Sequence, residues 1–381
     1  MRGLYIIFDD LRDYSGVSNK IIYQVSAFRK QGIEMDLSYL TVDNEHYYNG
    51  RKINNNIIDK YKDTLVLKKR WMYRFKFSEL LKYIKQSNAS FVYIRYANFA
   101  NPFFIKFLKE INNIGLYVVM EIPTYPYDYE YVNVSKLVFI AKKIEEYYRR
   151  YFGKYVDLMV TYSNERKIFN VDTVKINNGI QLESIRIKEA VKKNDNQIHF
   201  IAVASMYFWH GYDRLIKGLK MYYSSAHDKK VFFHLVGDSD NKESKKYRYL
   251  VHKYNLDKYV IFHGYKKNEE LDELFNISDL AIGCLGVHRK NITYIKSLKN
   301  SEYCARGIPF IYSETDDFFD YRPFVYKVKP NDDAIDINEL LSFTESKAFD
   351  PYQIRKFAEE NLTWDIQIKK IIKAMPLKIG E

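Results

Sequence analysis

Short apolar runs alternate with segments of helical period along most of the chain. Leu4–Phe8 reads as a buried strand, Asp9–Gly16 as a turn, and Val17–Gln31 places Val17, Ile21, Ile22, Val25 and Phe28 at helical spacing before Gly32. Glu34–Leu40 is strand-like again, so the chain opens strand–loop–helix–strand, the start of a parallel α/β sheet. The rhythm continues with a strand at Phe91–Arg95, a helix at Pro102–Asn112, a strand at Leu116–Glu121 behind Gly115, a helix over Ser135–Arg150 and a strand at Leu158–Thr161.

The same alternation restarts after Asp195-Asn-Gln. Strands are predicted at Ile198–Ala204, Val231–Val236, Val260–Phe262, Leu280–Gly283 and Pro309–Tyr312, with helices at Tyr212–Tyr223, Lys242–Tyr254 and Asn268–Phe275. The polar stretch Ile185–Asn196, with Lys188, Lys192 and Lys193, reads as a linker. The predicted class is therefore α/β, with two Rossmann-like parallel-sheet domains at 1–184 and 185–350. A last helix over Pro351–Lys373, within 351–381, is expected to return to the first domain. Ligands of such sheets bind beyond the carboxyl ends of the strands, which directs attention to a cleft between the domains.

Composition narrows the class. In 381 residues, 47% apolar and 28% charged positions exclude wholesale disorder, and 15 Gly and 8 Pro exclude collagen-like or Pro-rich architecture. The 36 Tyr and 25 Phe accompany abundant Asn, Lys and Ile, and are read as base bias in the gene rather than as a stacking platform for nucleic acid. Two cysteines, Cys284 and Cys304, make neither a disulfide framework nor a Cys-rich zinc site, as suits a reducing cytosol. The short apolar run after Met1 and the lack of an 18-residue apolar stretch lead us to expect a soluble intracellular protein.

The net charge of +12 is uneven: residues 1–180 carry 28 basic against 19 acidic residues, residues 181–381 carry 32 against 29. Lys68-Lys69-Arg70, Arg74, Lys76, Lys82 and Lys85 are interleaved with Trp71, Tyr73, Phe75 and Phe77. That stretch suits an anionic membrane surface or a phosphorylated partner, or else a solvated helix face; no recognised nucleic-acid motif accompanies it.

Several familiar sites are missing from the sequence: a Gly-x-x-x-x-Gly-Lys loop, Gly-x-Gly-x-x-Gly, Gly-x-Ser-x-Gly, paired His-x-x-x-His and Cys-x-x-Cys. Asp238-Ser-Asp240 follows a strand and is the right pattern for a divalent metal on a nucleotide diphosphate. An acidic strand-end loop is the preferred reading of it.

Four segments at predicted strand ends of the second half carry a more specific signal. They are Ala204-Ser-Met-Tyr-Phe-Trp-His-Gly-Tyr-Asp-Arg-Leu-Ile216, Leu235-Val-Gly-Asp238, Val260-Ile-Phe-His-Gly-Tyr265 and Leu298-Lys-Asn-Ser-Glu-Tyr-Cys-Ala-Arg-Gly-Ile-Pro-Phe-Ile311. In this order they resemble the donor domain of glycosyltransferase family 4, the retaining group 1 type enzymes of the GT-B fold. Ser15-Gly16-Val17 resembles the family's glycine-bearing loop after the first strand, and Asn177-Asn-Gly-Ile180 its Asn-Gly-Val/Ile at the end of the first domain.

The resemblance implies a nucleotide-sugar whose diphosphate meets main-chain N–H groups, helix starts and cationic side chains, with no metal or other cofactor. Gly16, Gly237 and Gly264 lie where main chain would approach the donor. The family's usual Arg/Lys pair corresponds here to Ser205 and His210, and His210 can donate and carry charge beside phosphate. Arg289, Lys290 and Lys299 are expected to compensate, although each alone also reads as a solvated cation. Glu302 corresponds to the family carboxylate that accepts from ribose hydroxyls, while Tyr294 stands where that motif's first Glu normally is. Glu121, ending a strand, is a candidate for contact with the reacting sugar, or for a structural salt bridge with Arg95. Arg95 and Tyr125 are candidates for the acceptor pocket, and Ser163 and Asn164 are lesser ones.

The expected activity is transfer of a sugar from a nucleoside-diphosphate sugar to a hydroxyl with retention, through front-face attack. The acceptor is expected to be a lipid-linked glycan of a bacterial surface polysaccharide, with the enzyme in the cytoplasm or peripheral on the inner face of the plasma membrane. The alternatives are a GT-B phosphorylase or epimerase, and an inactive sugar-nucleotide binding module.

Overall fold

The computed structural model describes residues 1–11, 16–43, 47–61, 71–128, 135–191, 194–237, 240–346 and 349–376. The chain divides into two compact units, one of residues 1–177 with 364–381 and the other of residues 178–363.

The first unit contains β1 (Arg2–Ile6), α1 (Gly16–Lys30), β2 (Glu34–Val42), β3 (Tyr48–Ile53), β4 (Asn56–Lys60), α2 (Ser78–Gln86), β5 (Phe91–Arg95), α3 (Pro102–Asn113) and β6 (Tyr117–Ile122). It continues with α4 (Lys136–Tyr148), α5 (Phe152–Tyr155), β7 (Leu158–Thr161), β8 (Lys167–Ile168) and β9 (Val171–Lys175). Among the described residues nine strands lie in the order β4-β3-β2-β1-β5-β6-β7-β9-β8. Helices cover both faces of the central strands, which is why β1 and β5 are nearly continuous apolar runs. Leu4 and Ile6 of β1 pack on one face, Tyr5 and Ile7 on the other.

The sheet is not purely parallel as expected: β2/β3, β3/β4 and β8/β9 are antiparallel. Two-residue turns join β3 to β4 and β8 to β9. Asn54 and Asn55 have φ of 46° and 73°, and Phe169 and Asn170 have 50° and 63°. Positive φ at both turn positions is the geometry whose twist matches that of a hairpin.

The second unit contains β10 (Gln197–Val203), α6 (Tyr212–Tyr223), β11 (Lys230–Val236), α7 (Lys242–Lys253), β12 (Val260–Gly264), α8 (Asn268–Ile277) and β13 (Leu280–Ile282). After these come α9 (Leu298–Arg306), β14 (Phe310–Tyr312), β15 (Val325–Lys327), α10 (Ile337–Glu345) and α11 (Pro351–Asn361). Its six strands are parallel throughout, in the order β12-β11-β10-β13-β14-β15.

Two boundaries differ from the expectation. The stretch from Ile185 is not a free linker: the Lys188 amide donates to the Arg306 carbonyl at 2.7 Å, and Arg355 Nη1 to the Ile185 carbonyl at 2.6 Å. The single terminal helix is two. α11 packs in the second unit, where the Gly307 Cα lies close under Pro351, while α12 (Trp364–Ala374) packs on α1 through Trp364, Ile368 and Ile371. The chain crosses between them at Thr363, which bridges to Ile180. Of the sequence features, Ser15, Lys68-Lys69-Arg70, Lys192, Lys193, Asp238 and Ser239 lie outside the described residues.

Candidate active site

The loops beyond the carboxyl ends of β10 and β13 are bonded into one surface. The Leu285 amide donates to the His210 carbonyl at 2.8 Å and the Gly286 amide to the Trp209 carbonyl at 3.2 Å. Gly211, at φ +65°, lies so close that a Cβ there would sit 2.7 Å from the Gly286 nitrogen. Only glycine fits that approach. Buried Arg214 adds bonds to the carbonyls of Leu285 at 2.5 Å and Asp333 at 2.8 Å.

This frame fixes His210. Its Nδ1 accepts from the Tyr207 amide at 3.2 Å and its Nε2 lies 2.7 Å from Lys299 Nζ, in the first turn of α9. Burial, then the Lys299 charge, pushes the imidazole down to about 2. Without an anion beside it, His210 therefore favours its neutral form. Burial also lowers the Lys299 ammonium, 3.9 Å from Cys284 Sγ. A neutral imidazole has one N–H. With Nδ1 accepting from the Tyr207 amide, the ring proton falls to Nε2, the nitrogen that faces Lys299.

Beside this pair is a group of buried polar atoms that sequence reasoning missed. Asn300 and Glu314 are almost wholly buried, and both carboxyl oxygens of Glu314 and both terminal atoms of Asn300 lack hydrogen-bond partners. Asn300 faces Glu314 without hydrogen-bond geometry, and Lys299 and Glu314 feel each other's charge. Burial raises the Glu314 carboxyl to about 8, so it is mostly protonated at neutral pH. Unpaired buried polar atoms are uncommon and costly, and these four lie together, Asn300 in α9 and Glu314 just beyond β14. One signal was readable: Ser313-Glu-Thr-Asp-Asp317 places three carboxylates directly after a short buried strand. Nearby, Lys296 pairs with Asp316 at 2.7 Å and with Asp317, which also accepts from Tyr294 at 2.8 Å.

The other expected donor residues are distributed differently. Arg289 is no open cation: it holds Asp213 through two bonds of 2.9 and 3.0 Å, and Asp332 at 2.7 Å. Two carboxylates and the Phe208 carbonyl at 2.8 Å make it a brace for the His210 turn. Lys290 lies over the Trp209 ring at 4.9 Å. Ser205 is exposed just past β10. Gly237 has φ +132° and passes so near the Ala204 carbonyl that a Cβ would be 2.0 Å away, while Gly264 has φ +66° and accepts from the Gly237 amide at 2.8 Å. Both glycines shape strand ends. Glu302, one turn beyond Lys299, is about a third exposed and accepts from Arg306 Nε at 3.2 Å.

In the first unit, Gly16 begins α1 with open space where a Cβ would stand. Glu121 is wholly buried, and its partners come from β1, α1, β5 and Tyr162 just past β7. Tyr93, Tyr162 and Tyr5 donate at 2.7, 3.0 and 3.3 Å, Gln24 at 3.1 Å, Lys20 lies at 3.3 Å, and Arg95 forms the ion pair. Burial alone would raise this carboxyl, but Lys20 and Arg95 bring it down to about 2. The structural salt bridge, not a carboxylate open to a reacting sugar, is therefore the reading the structure supports for Glu121, and Arg95 is its counter-ion. Tyr125 packs edge-on to Tyr127 and Phe169 at 6.5 and 5.9 Å. Ser163 Oγ is 2.9 Å from Thr161 Oγ1, and Asn164 receives Lys175.

Comparison with known proteins accords with this organisation. Residues 183–318 match the family model of glycosyl transferases group 1. No curated protein matches the chain by sequence. Among solved structures, sucrose-phosphate synthase (tll1590) from Thermosynechococcus elongatus is similar with a TM-score of 0.67 at 12% identity, covering 98% of each chain. Anabaena Alr3699/HepE, solved in complex with UDP, gives 0.65 at 10% identity over 98% of this chain and 100% of that one. The lipopolysaccharide outer core galactosyltransferase WaaB gives 0.61 at 12% identity over 98% and 100%. Such identities speak for fold, and the chain has the GT-B fold of two Rossmann-like units, with the family-model match falling in the second.

Proposed function

We propose that the protein is a retaining glycosyltransferase that moves a sugar from a nucleoside-diphosphate sugar to a hydroxyl of a glycan acceptor. The acceptor is lipid-linked, in the assembly of a surface polysaccharide, and the enzyme works at the inner face of the plasma membrane. The observation that carries the donor half is the group of buried, unpartnered polar atoms of Asn300 and Glu314 beside Lys299 and His210, at strand ends of the group 1 domain. That related folds were solved with UDP and with UDP-glucose makes uridine diphosphate the first nucleotide to test.

In this reading Lys299 meets the diphosphate, whose charge favours the ammonium against the pull of burial, and His210 donates beside it. Glu302 accepts from the ribose hydroxyls, and Asn300 and Glu314 gain partners among the hydroxyls of the donor sugar. The bond from the anomeric carbon to the diphosphate oxygen breaks. The acceptor oxygen bonds to the same face, and its proton passes to the departing phosphate oxygen. The side chains hold and stabilise the leaving group, so positioning and electrostatics supply the rate.

A panel of labelled nucleotide-sugars with a lipid-linked glycan acceptor tests the reaction; hydrolysis-free binding without transfer would leave only a binding module. Glu302→Ala is expected to weaken UDP binding about tenfold, the loss of one charge-assisted hydrogen bond. Unchanged UDP binding would remove Glu302 from the site.

A further inference from the structure

Helix α4 (Lys136–Tyr148) is turned inside out. Its one buried residue among those described is Glu145, which accepts from Tyr96 and Tyr127, each at 2.7 Å, and from Arg149 at 3.3 Å. Arg149 also pairs with Asp128 at 2.9 Å, and Lys142 donates to the Asp128 carbonyl at 2.7 Å. Polar bonds, with the partly buried Tyr148 against the core, hold the inner side of the helix. The outer side carries Leu137, Ile140, Ile144 and Tyr147, which are 74%, 55%, 43% and 53% exposed, with Phe139 at 53%.

Spacings of three, four and three residues put Leu137, Ile140, Ile144 and Tyr147 on a single stripe of the helix. Lys136, Lys143 and Arg150 recur every seven residues and run alongside that stripe. A folding chain normally turns such side chains inward, and a contiguous apolar patch rimmed by charge marks an interaction surface. A basic flank beside an apolar stripe, in the half of the chain with 28 basic against 19 acidic residues, fits an anionic lipid surface: apolar groups enter the acyl boundary and lysines face headgroups.

We propose that the outer face of α4 is a membrane-docking surface that inserts Leu137, Ile140 and Ile144 into the interface of an anionic bilayer. This deepens the membrane part of the function proposed above and rests on it, not on the donor chemistry. The test uses the full chain with vesicles of phosphatidylcholine alone and of phosphatidylcholine with phosphatidylglycerol, at low and high salt. Binding is expected only to the anionic vesicles and is expected to weaken with salt. A Leu137→Ser, Ile140→Ser, Ile144→Ser variant is expected to lose about tenfold in partitioning per side chain, with melting temperature and UDP binding unchanged.

Anionic-vesicle binding that the triple variant retains in full would overturn this surface while leaving membrane association standing. No binding to either vesicle would overturn both. Concentration-dependent self-association of the parent in sedimentation, abolished by the same variant, would show instead that a second copy covers the face. UDP binding, read on the same samples, reports on the donor reading separately.

Discussion

Lys299 Nζ lies 2.7 Å from His210 Nε2; His210 is buried and Lys299 partly so, and the charged form of each is disfavoured. A diphosphate beside it supplies the negative charge that burial withholds, so nucleotide binding is expected to draw a proton onto Lys299. Calorimetry of UDP binding in two buffers of different ionisation enthalpy should give different heats. Lys299→Met should abolish that difference and weaken binding about tenfold or more. Equal heats for the parent would show that binding leaves the protonation of Lys299 unchanged.

Glu314 should shape the alkaline side of stability. Its folded value, raised by burial to about 8, lies above its ordinary 4.5, so the folded state holds the proton more tightly. The stability it contributes is full below about pH 4.5 and is lost as pH rises through about 8, on the order of a few kcal/mol. Glu314→Gln keeps the shape without the titration. Its urea midpoint is expected to fall less between pH 6 and pH 9 than the parent's; parallel curves would show that Glu314 ionises freely.

Glu121 acts in the opposite direction. Its carboxyl is held at about 2, so its contribution is present above about pH 4.5 and is lost as pH falls towards 2. Removing it with Glu121→Ala leaves Lys20 and Arg95 buried without their counter-ion, which typically costs about 3–5 kcal/mol. Urea unfolding at neutral pH measures this. A variant of parental stability that has lost only turnover would return Glu121 to the reaction.

Three imidazoles on adjacent strands form a chain: His199 Nδ1 to His234 Nε2 at 2.9 Å, and His234 Nδ1 to His263 Nε2 at 2.8 Å. Burial, with the neighbouring histidines, lowers His234 to about 3. Its contribution to stability is present above about pH 6.5 and lost as pH falls through 3. His234→Phe is expected to flatten the decline in melting temperature between pH 6 and pH 4; an unchanged slope would show that the chain carries no such dependence.

The sequence by itself determined the alternation of elements. Apolar strands buried on both faces are read as continuous runs whatever surrounds them, so β5 and β7 fall where the runs Phe91–Arg95 and Leu158–Thr161 lie. Hairpins such as β3–β4 escaped because their turn residues, Asn54 and Asn55, sit in an Asn-rich stretch like many others, and only their φ values mark them. The boundary at Thr363 escaped because α11 and α12 share one helical period while packing on different units.

Site chemistry divides in the same way. Motif order pointed to His210, Lys299 and Glu302, but what each does depends on neighbours distant in the chain. His210 meets Lys299 across 89 positions, Arg289 is taken up by Asp213 across 76, and Glu121 by Tyr5 across 116. Whether a charged side chain is a ligand or a brace is decided by which partners folding brings to it and by how much water is removed around it. Neither quantity is written in local order, and both are properties of the packed tertiary structure.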